Sequence, residues 1–346
     1  MSEDPKPLRS PQKTKYTLCV PSTCISRSNA ANLEHATHVA YQIAKTAAMF
    51  DVGELVVLNV TEAVEDAVEI GKAGSKKVIF DSEAASSTGK GVETSSKDLS
   101  PETLTLALLL QFFVTPPYLR KLTFQKKHQR LFEYAKKLPK LSTLPFMQNG
   151  RAYDRYREGL TVPKHSPKVK RKTESGKTKN PKKLAVTRYV NVGTEELLKL
   201  DGKEVPVHVR VTVDINTKTI VSPVAAYGVV GANASFGYQV RVAKKFSSLF
   251  TESAYADGYT GTLYVNSGDY FGNSVPDMPS AKLETGADSR ILVVVGKWKD
   301  ISDAFLADRA TLHGIGSASE MFDGELEIPK GSRVEDGCLI SLSKLA

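Results

Sequence analysis

Five apolar residues in a row, Ile291 to Val295, stop at Gly296, and the chain later closes with Ile328-Pro329-Lys330-Gly331-Ser332-Arg333-Val334-Glu335-Asp336-Gly337-Cys338. An uninterrupted apolar run of this kind is a buried strand, and a glycine at its end permits a tight turn. The Pro-x-Gly step predicts a second turn, which presents backbone amides and carbonyls ahead of a short terminal helix. A chain with both features must bury strands in an α/β core and leave bare backbone at their ends.

The N-terminal part repeats that pattern. Tyr16 to Pro21 reads as a strand. Leu33, Ala36, Ala40, Ile43, Ala44 and Ala47 share one helical face that starts from an Asn cap at Asn32, and Glu54 to Val60 reads as a second, buried strand. A strand, helix, strand unit builds parallel sheets. Residues 1–15 are polar and proline-bearing and predict a disordered tail, residues 82–100 a flexible loop, and Leu104 to Phe113 an apolar helix stopped by Pro116 and Pro117. After residue 160 the character changes to short alternating runs, Leu184 to Val192, Val205 to Val213 and Thr219 to Val224, which predict a small β-barrel module. The α/β pattern then resumes, with a helix expected over Tyr238 to Phe250, a strand over Gly261 to Val265 and a helix near Ile301 to Ala310. The expected organisation is one α/β domain (16–160 and 227–346) interrupted by residues 161–226; 346 residues suffice for both.

Charge points to a partner. The formal net charge is +9, and Lys164 to Lys183 holds nine Lys or Arg, among them Lys168, Lys170, Arg171 and Lys172, against the single acid Glu174. A second basic run includes Arg120, Lys121, Lys126 and Lys127, with Tyr118, Phe124, Phe132 and Tyr134 interleaved. Cations that track phosphates and rings that stack on bases have this composition, so a nucleic acid is the expected partner. The same basic loop is compatible with nuclear or nucleolar targeting, and a cytoplasmic protein could carry it equally well. No run of about 18 apolar residues supports a membrane span. Cys19, Cys24 and Cys338 are too few for a disulfide framework, and no metal-ligand spacing is present.

The motifs Val20-Pro21, Tyr41-Gln42-Ile43-Ala44, Leu55-Val56-Val57-Leu58, Thr115-Pro116-Pro117-Tyr118, Arg157-Glu158-Gly159, Tyr189-Val190-Asn191-Val192-Gly193, Gly237-Tyr238-Gln239-Val240-Arg241, Asp257-Gly258-Tyr259 and the C-terminal segments occur in an order that resembles the SPOUT-superfamily (trefoil-knot) RNA methyltransferases with an OB-like insertion. The resemblance implies a knotted α/β domain, S-adenosyl-L-methionine as cofactor, RNA as substrate and a homodimer. It assigns cofactor binding to three loops: Asn266, Ser267 and Gly268; Val295, Gly296 and Lys297; and Ile328, Pro329, Gly331, Ser332, Val334 and Cys338. Backbone groups can satisfy an adenine edge there, and small residues permit close approach.

The acceptor chemistry needs a group that takes a proton and a cation that stabilises negative charge. Arg241, Arg333, Glu335 and Asp336 are the candidates, with helix capping as the alternative for the two acids and an ion pair as the alternative for Arg241. Lys297-Trp298 after Gly296 is unusual. It either crowds the cofactor or aims a cation and a ring at RNA. Crowding would favour a noncatalytic RNA-binding or ribosome-assembly protein of the same fold. Thr88-Gly89-Lys90 and Gly314-Ile315-Gly316 fail the phosphate-loop and dinucleotide fingerprints, and His35 and His38 lack a third ligand.

Overall fold

The structure, a computed structural model, describes residues 14–60, 99–147, 155–163, 186–222, 226, 237–268, 270, 275–281 and 289–346. Nearly all of the expected tail, the loop over 82–100 except its last two residues, and the basic stretch 164–183 with Lys168, Lys170, Arg171 and Lys172 lie outside the described residues.

In chain order the elements are β1 (Lys15–Pro21), α1 (Leu33–Met49), β2 (Glu54–Leu58), α2 (Pro101–Phe113), the one-turn α3 (Arg120–Thr123), β3 (Tyr156–Thr161), β4 (Val186–Thr187), β5 (Tyr189–Asn191), β6 (Leu198–Lys199), β7 (Val205–Pro206), β8 (Arg210–Asp214), β9 (Thr219–Val221), β10 (Gln239–Ala243), α4 (Ser248–Thr251), β11 (Gly261–Asn266), β12 (Arg290–Gly296), α5 (Trp298–Ala307), β13 (Gly324–Glu325) and α6 (Val334–Leu345).

Six strands form one sheet in the order β10-β2-β1-β12-β11-β13. Every neighbouring pair is parallel. Side chains alternate across it because successive Cβ atoms on a strand point to opposite faces. Leu18, Val20, Leu55, Val57, Val293 and Val295 pack toward α1, α2 and α6. Cys19, Val56, Leu58, Leu292, Val294 and Tyr264 pack with α4 and α5 through Phe246, Leu249, Ile301 and Phe305. Burial on both faces explains the continuous apolar runs. Asn32 caps α1 by accepting from the His35 amide at 2.9 Å, as its sequence position predicts. Ser100 caps α2, and Asn59 at the end of β2 accepts from Ser100 N (3.0 Å) and Thr103 Oγ1 (2.8 Å), tying that helix to the sheet.

Strands β3, β5, β6, β8 and β9 form an antiparallel sheet in the order β6-β5-β3-β8-β9, and β4 pairs with β7. Its apolar core is small: Val190, Val192, Leu200, Val211 and Val213. A fully buried carboxylate, Glu158, accepts from Arg210 Nε at 3.2 Å and from Thr212 Oγ1 at 2.7 Å. Arg210 also donates to the Val114 carbonyl beyond α2 (3.0 Å), and the Tyr118 hydroxyl donates to the Glu158 carbonyl (3.0 Å). The Tyr118 ring lies on Gly193, where φ is +82° and a Cβ would meet ring carbon Cδ2 at 2.4 Å. Burial, reinforced by Glu158, pushes the Tyr118 hydroxyl up to about 12.

Two sequence expectations are corrected. Tyr238 to Phe250 is not one helix: residues 239–243 form β10, paired with β2, and only Ser248–Thr251 is helical. The alternation Val240-Arg241-Val242 suited a strand, and the available sheet edge decided in its favour. The rings between the lysines are also not presented to solvent as a set. Phe124 and Phe132 are buried, with Phe132 stacked on Phe112 at 4.6 Å. Arg120 lies over Phe112 (3.9 Å) and donates to the Thr115 carbonyl (3.2 Å), and burial lowers its pKa to about 10. Lys121, Lys126 and Lys127 are exposed.

Candidate functional site

Parallel strands deliver their carboxyl ends to the same edge of a sheet, so the loops after β1, β11 and β12 start side by side. The register pairs Asn266, the last residue of β11, with Gly296, the last of β12. The glycine is required here: a Cβ at Gly296 would meet Pro21 Cγ, at the end of β1, at 2.7 Å. Ser267 N donates to the Gly296 carbonyl (3.1 Å), and Tyr264 Oη donates to the same oxygen (3.0 Å).

The third loop joins from the C-terminal segment. Ser332 N donates to the Pro329 carbonyl at 3.2 Å, closing a turn whose third residue, Gly331, has φ +80°. That is the conformation the Pro-x-Gly step predicted. The Ser332 carbonyl accepts from Gly268 N (2.6 Å) and Ser267 Oγ (2.9 Å), so the first and third loops are bonded directly. Beneath them, Gly337 of α6 touches β11 and β12 closely; a Cβ there would lie 2.5 Å from Ser267 Oγ and 3.0 Å from Val295 Cγ1.

These loops surround a cleft of about 150 Å³ lined by Gly268, Lys297, Gly331, Arg333, Val334 and Glu335, and by Thr23, Cys24, Ser28, Asn29 and Asp300. Gly268 has φ +87° and lies along the Lys297 side chain. Arg333 Nε donates to Glu335 Oε1 at 2.6 Å, and its other arm donates to the Asn29 carbonyl at 3.1 Å. Thr23 Oγ1 donates to Asp300 Oδ2 at 2.6 Å. Burial raises the Asp300 pKa, with the Thr23 hydrogen bond and the Lys297 charge opposing it.

Of the residues singled out in the sequence, those of all three loops converge, but not all face the cleft. Val295 and Cys338 are fully buried and pack with Leu342 in the core beneath it. Burial pushes the Cys338 and Cys24 thiols up, so neither is a poised nucleophile. Ile328 packs partly against the same core. Asp336 is exposed in the first turn of α6 and is not among the lining residues, where a carboxylate favours the helix N-terminus electrostatically.

Arg241 does not join the group. It sits on β10 at the sheet edge, where Nε and Nη2 meet Glu54 Oε1 and Oε2 at 2.7 and 3.1 Å and Nη1 donates to the Ser248 carbonyl at 2.8 Å. Burial alone would lower its pKa, but the hydrogen bonds and charge of Glu54 raise it. Within one chain it holds α4 to the sheet. Trp298 does not crowd the cleft: it is buried on the opposite face, edge-on to Tyr264 at 5.1 Å.

The β1–α1 loop and Asp300 escaped the sequence reading. Their signal was positional: Ser22 to Asn29 follow a strand adjacent to β12, and Asp300 lies just beyond Gly296. No cluster of metal-ligating side chains occurs among the described residues, and none of their helices is long and apolar enough to cross a membrane.

Comparison with known proteins identifies the family. A family model described as "Putative RNA methyltransferase" matches residues 15–345. "Putative methyltransferase YMR310C" of Saccharomyces cerevisiae is 35% identical over 346 residues, covering 99% of this chain and 96% of that protein. The "28S rRNA (uridine-N(3))-methyltransferase" of Drosophila melanogaster is 29% identical over 349 residues, covering 97% of this chain and 62% of that protein. The Homo sapiens protein of the same name is 27% identical over 343 residues, covering 95% of this chain and 78% of that protein. With a match that runs from the first strand to the last helix, the chain belongs to this RNA methyltransferase family.

Proposed function

We propose that the chain transfers a methyl group from S-adenosyl-L-methionine to a base of ribosomal RNA, and that the cleft between the three loops is where it does so. The observation that carries this reading is the convergence of Gly268, Lys297 and Gly331 on one cleft at the carboxyl edge of the parallel sheet. The residues fit the cofactor. Gly268 and Gly331 leave backbone uncovered, and Lys297, Arg333 and Glu335 supply both signs of charge for a ligand that carries a carboxylate, an amine and a sulfonium. When bound, the cofactor supplies an activated methyl group. The protein's part is to orient that ligand, exclude water from it and handle the acceptor's proton. Arg333, half exposed where it lines the cleft, is the cation offered to a phosphate in this reading.

Uridine N3 of large-subunit RNA is the acceptor favoured by the names of the Drosophila and human relatives. The exposed Lys121, Lys126 and Lys127 and the stretch holding Lys168, Lys170, Arg171 and Lys172 serve as the phosphate-tracking surface in this reading. The antiparallel sheet of 156–221 is the OB-like module, inserted in a knotted SPOUT domain; its five-stranded open order supports that reading. A homodimer and nuclear or nucleolar residence complete it. The test is incubation of the protein with methyl-labelled S-adenosylmethionine and in vitro-transcribed large-subunit rRNA, followed by nucleoside analysis. Label in N3-methyluridine is expected, and rRNA left unlabelled under conditions where the cofactor binds would contradict the reading.

A further inference from the structure

The cleft contains one acid that cofactor-loop geometry does not explain. Asp300 stands in the first turn of α5, and Thr23, from the loop after β1, donates to its Oδ2 at 2.6 Å. Its Oδ1 has no hydrogen-bond partner among the described residues, while the side chain lines the cleft. The other acids are less suited. Glu335, which also lines the cleft, is ion-paired with the cation Arg333 at 2.6 Å, whereas the partner of Asp300 is a neutral hydroxyl, and Asp336 does not line the cleft.

The groups around Asp300 come from every element that borders it. Lys297 lies before α5; Lys299 and Asp303 on α5 pair with each other at 2.8 Å; Arg333 and Glu335 pair before and within α6; Thr23 contributes a hydroxyl. Lys297 and Lys299 lower the carboxyl's proton affinity and Asp303 raises it, but burial is the largest influence and moves it upward. An aspartate of this kind is better matched to taking a proton than an exposed one.

We propose that Asp300 is the catalytic base, held in place by Thr23, and that the acceptor it serves is an imide N–H rather than a ribose hydroxyl. This assignment rests on the cleft being the methyl-transfer site. The acceptor's N–H bond breaks and its proton passes to Asp300. The freed nitrogen pair forms the new N–C bond to the methyl group, and the electron pair of the breaking C–S bond remains on the sulfur, which becomes a neutral thioether. Asp300, now neutral, returns its proton to solvent. A carboxylate is a poor base for a hydroxyl, and this selects the more acidic imide.

The test uses the full chain with S-adenosylmethionine and in vitro-transcribed large-subunit rRNA. Single-turnover transfer is followed against pH for the wild type, Asp300→Asn, Asp300→Glu and Thr23→Val, and cofactor affinity is measured by calorimetry on the same preparations. Asp300→Asn is expected to keep cofactor binding while transfer falls by about 10²–10⁴-fold and its acid limb disappears. Asp300→Glu should recover part of the rate. Thr23→Val removes a hydrogen bond to the carboxylate, so its acid limb should move to higher pH without loss of cofactor affinity; a protein changed only in packing would show no such shift. If Asp300→Asn fails to fold, the Thr23→Val limb decides alone. Transfer by Asp300→Asn at the wild-type rate and pH profile, or an unmoved limb in Thr23→Val, overturns the assignment while leaving the site intact. A wild type that binds no cofactor and transfers no methyl group overturns both.

Discussion

In the parallel sheet, β1, β2 and β12 bury apolar side chains on both faces, whereas in the antiparallel sheet β3 carries Glu158 into full burial against Arg210 and Thr212. Asp214, likewise buried, is held by Arg155 at 2.9 Å. The first sheet has two extended apolar cores, with one buried carboxylate, Glu54, paired to Arg241 at its edge strand. The second has a core of five buried apolar residues among the described ones and depends on individual polar partners. The difference predicts where each is vulnerable. An apolar layer tolerates small volume changes, while a buried carboxylate tolerates loss of its partner poorly.

The largest expected effect follows from that contrast. Arg210→Ala leaves Glu158 buried with Thr212 and removes the bond to the Val114 carbonyl, so it should destabilise the protein by about 3–5 kcal/mol in urea unfolding followed by circular dichroism. Replacement of both Glu158 and Arg210 by leucine should recover much of that loss. A single Arg210→Ala change costing under about 1 kcal/mol would show that the two sheets do not differ as described.

A smaller effect is expected beneath the cleft. Gly337→Ala puts a methyl group 2.5 Å from Ser267 Oγ, which must shift. The overpacking should cost about 1–3 kcal/mol, and S-adenosylmethionine affinity should fall with it because Ser267 Oγ bonds the Ser332 carbonyl. Unchanged affinity in a folded Gly337→Ala protein would separate helix packing from the cleft.

The smallest stability change belongs to the surface. Changing Lys121, Lys126 and Lys127 together to glutamine should leave the unfolding free energy nearly unaltered, within about 0.5 kcal/mol per substitution, since these side chains are exposed. The measurement of interest is rRNA affinity across a salt series, where the log–log slope should become shallower by up to about 0.7 per lost phosphate contact. An unchanged slope would remove this surface from the RNA interface.

The same contrast governs what could be read from the sequence. Apolar runs that end at glycine are local signals: Gly331 occupies the turn that its neighbours predicted, whereas Gly296 ends its strand and is needed for the close approach of Pro21. The Asn32 cap was legible for the same reason. Side-chain partnerships were not: Thr23 meets Asp300 across 277 positions and Arg241 meets Glu54 across 187, and no spacing rule relates residues so far apart. Phe124 and Phe132 sit among lysines in the chain, yet their rings complete the aromatic cluster around Phe112. Alternating charge and ring along a segment therefore marked a half-buried element, whose lysines face water and whose rings face the core. Trp298 shows the converse, since its place after Gly296 suggested the cleft while α5 turns it to the opposite face of the sheet.

The most direct test of the account is calorimetric titration of S-adenosylmethionine into the wild type and into Gly331→Trp, with thermal melts of both to establish that each is folded. Gly331 lines the cleft, so the indole would fill it. The account predicts saturable binding by the wild type and its loss in the folded variant. Equal binding by both proteins would contradict the placement of the cofactor between the three loops.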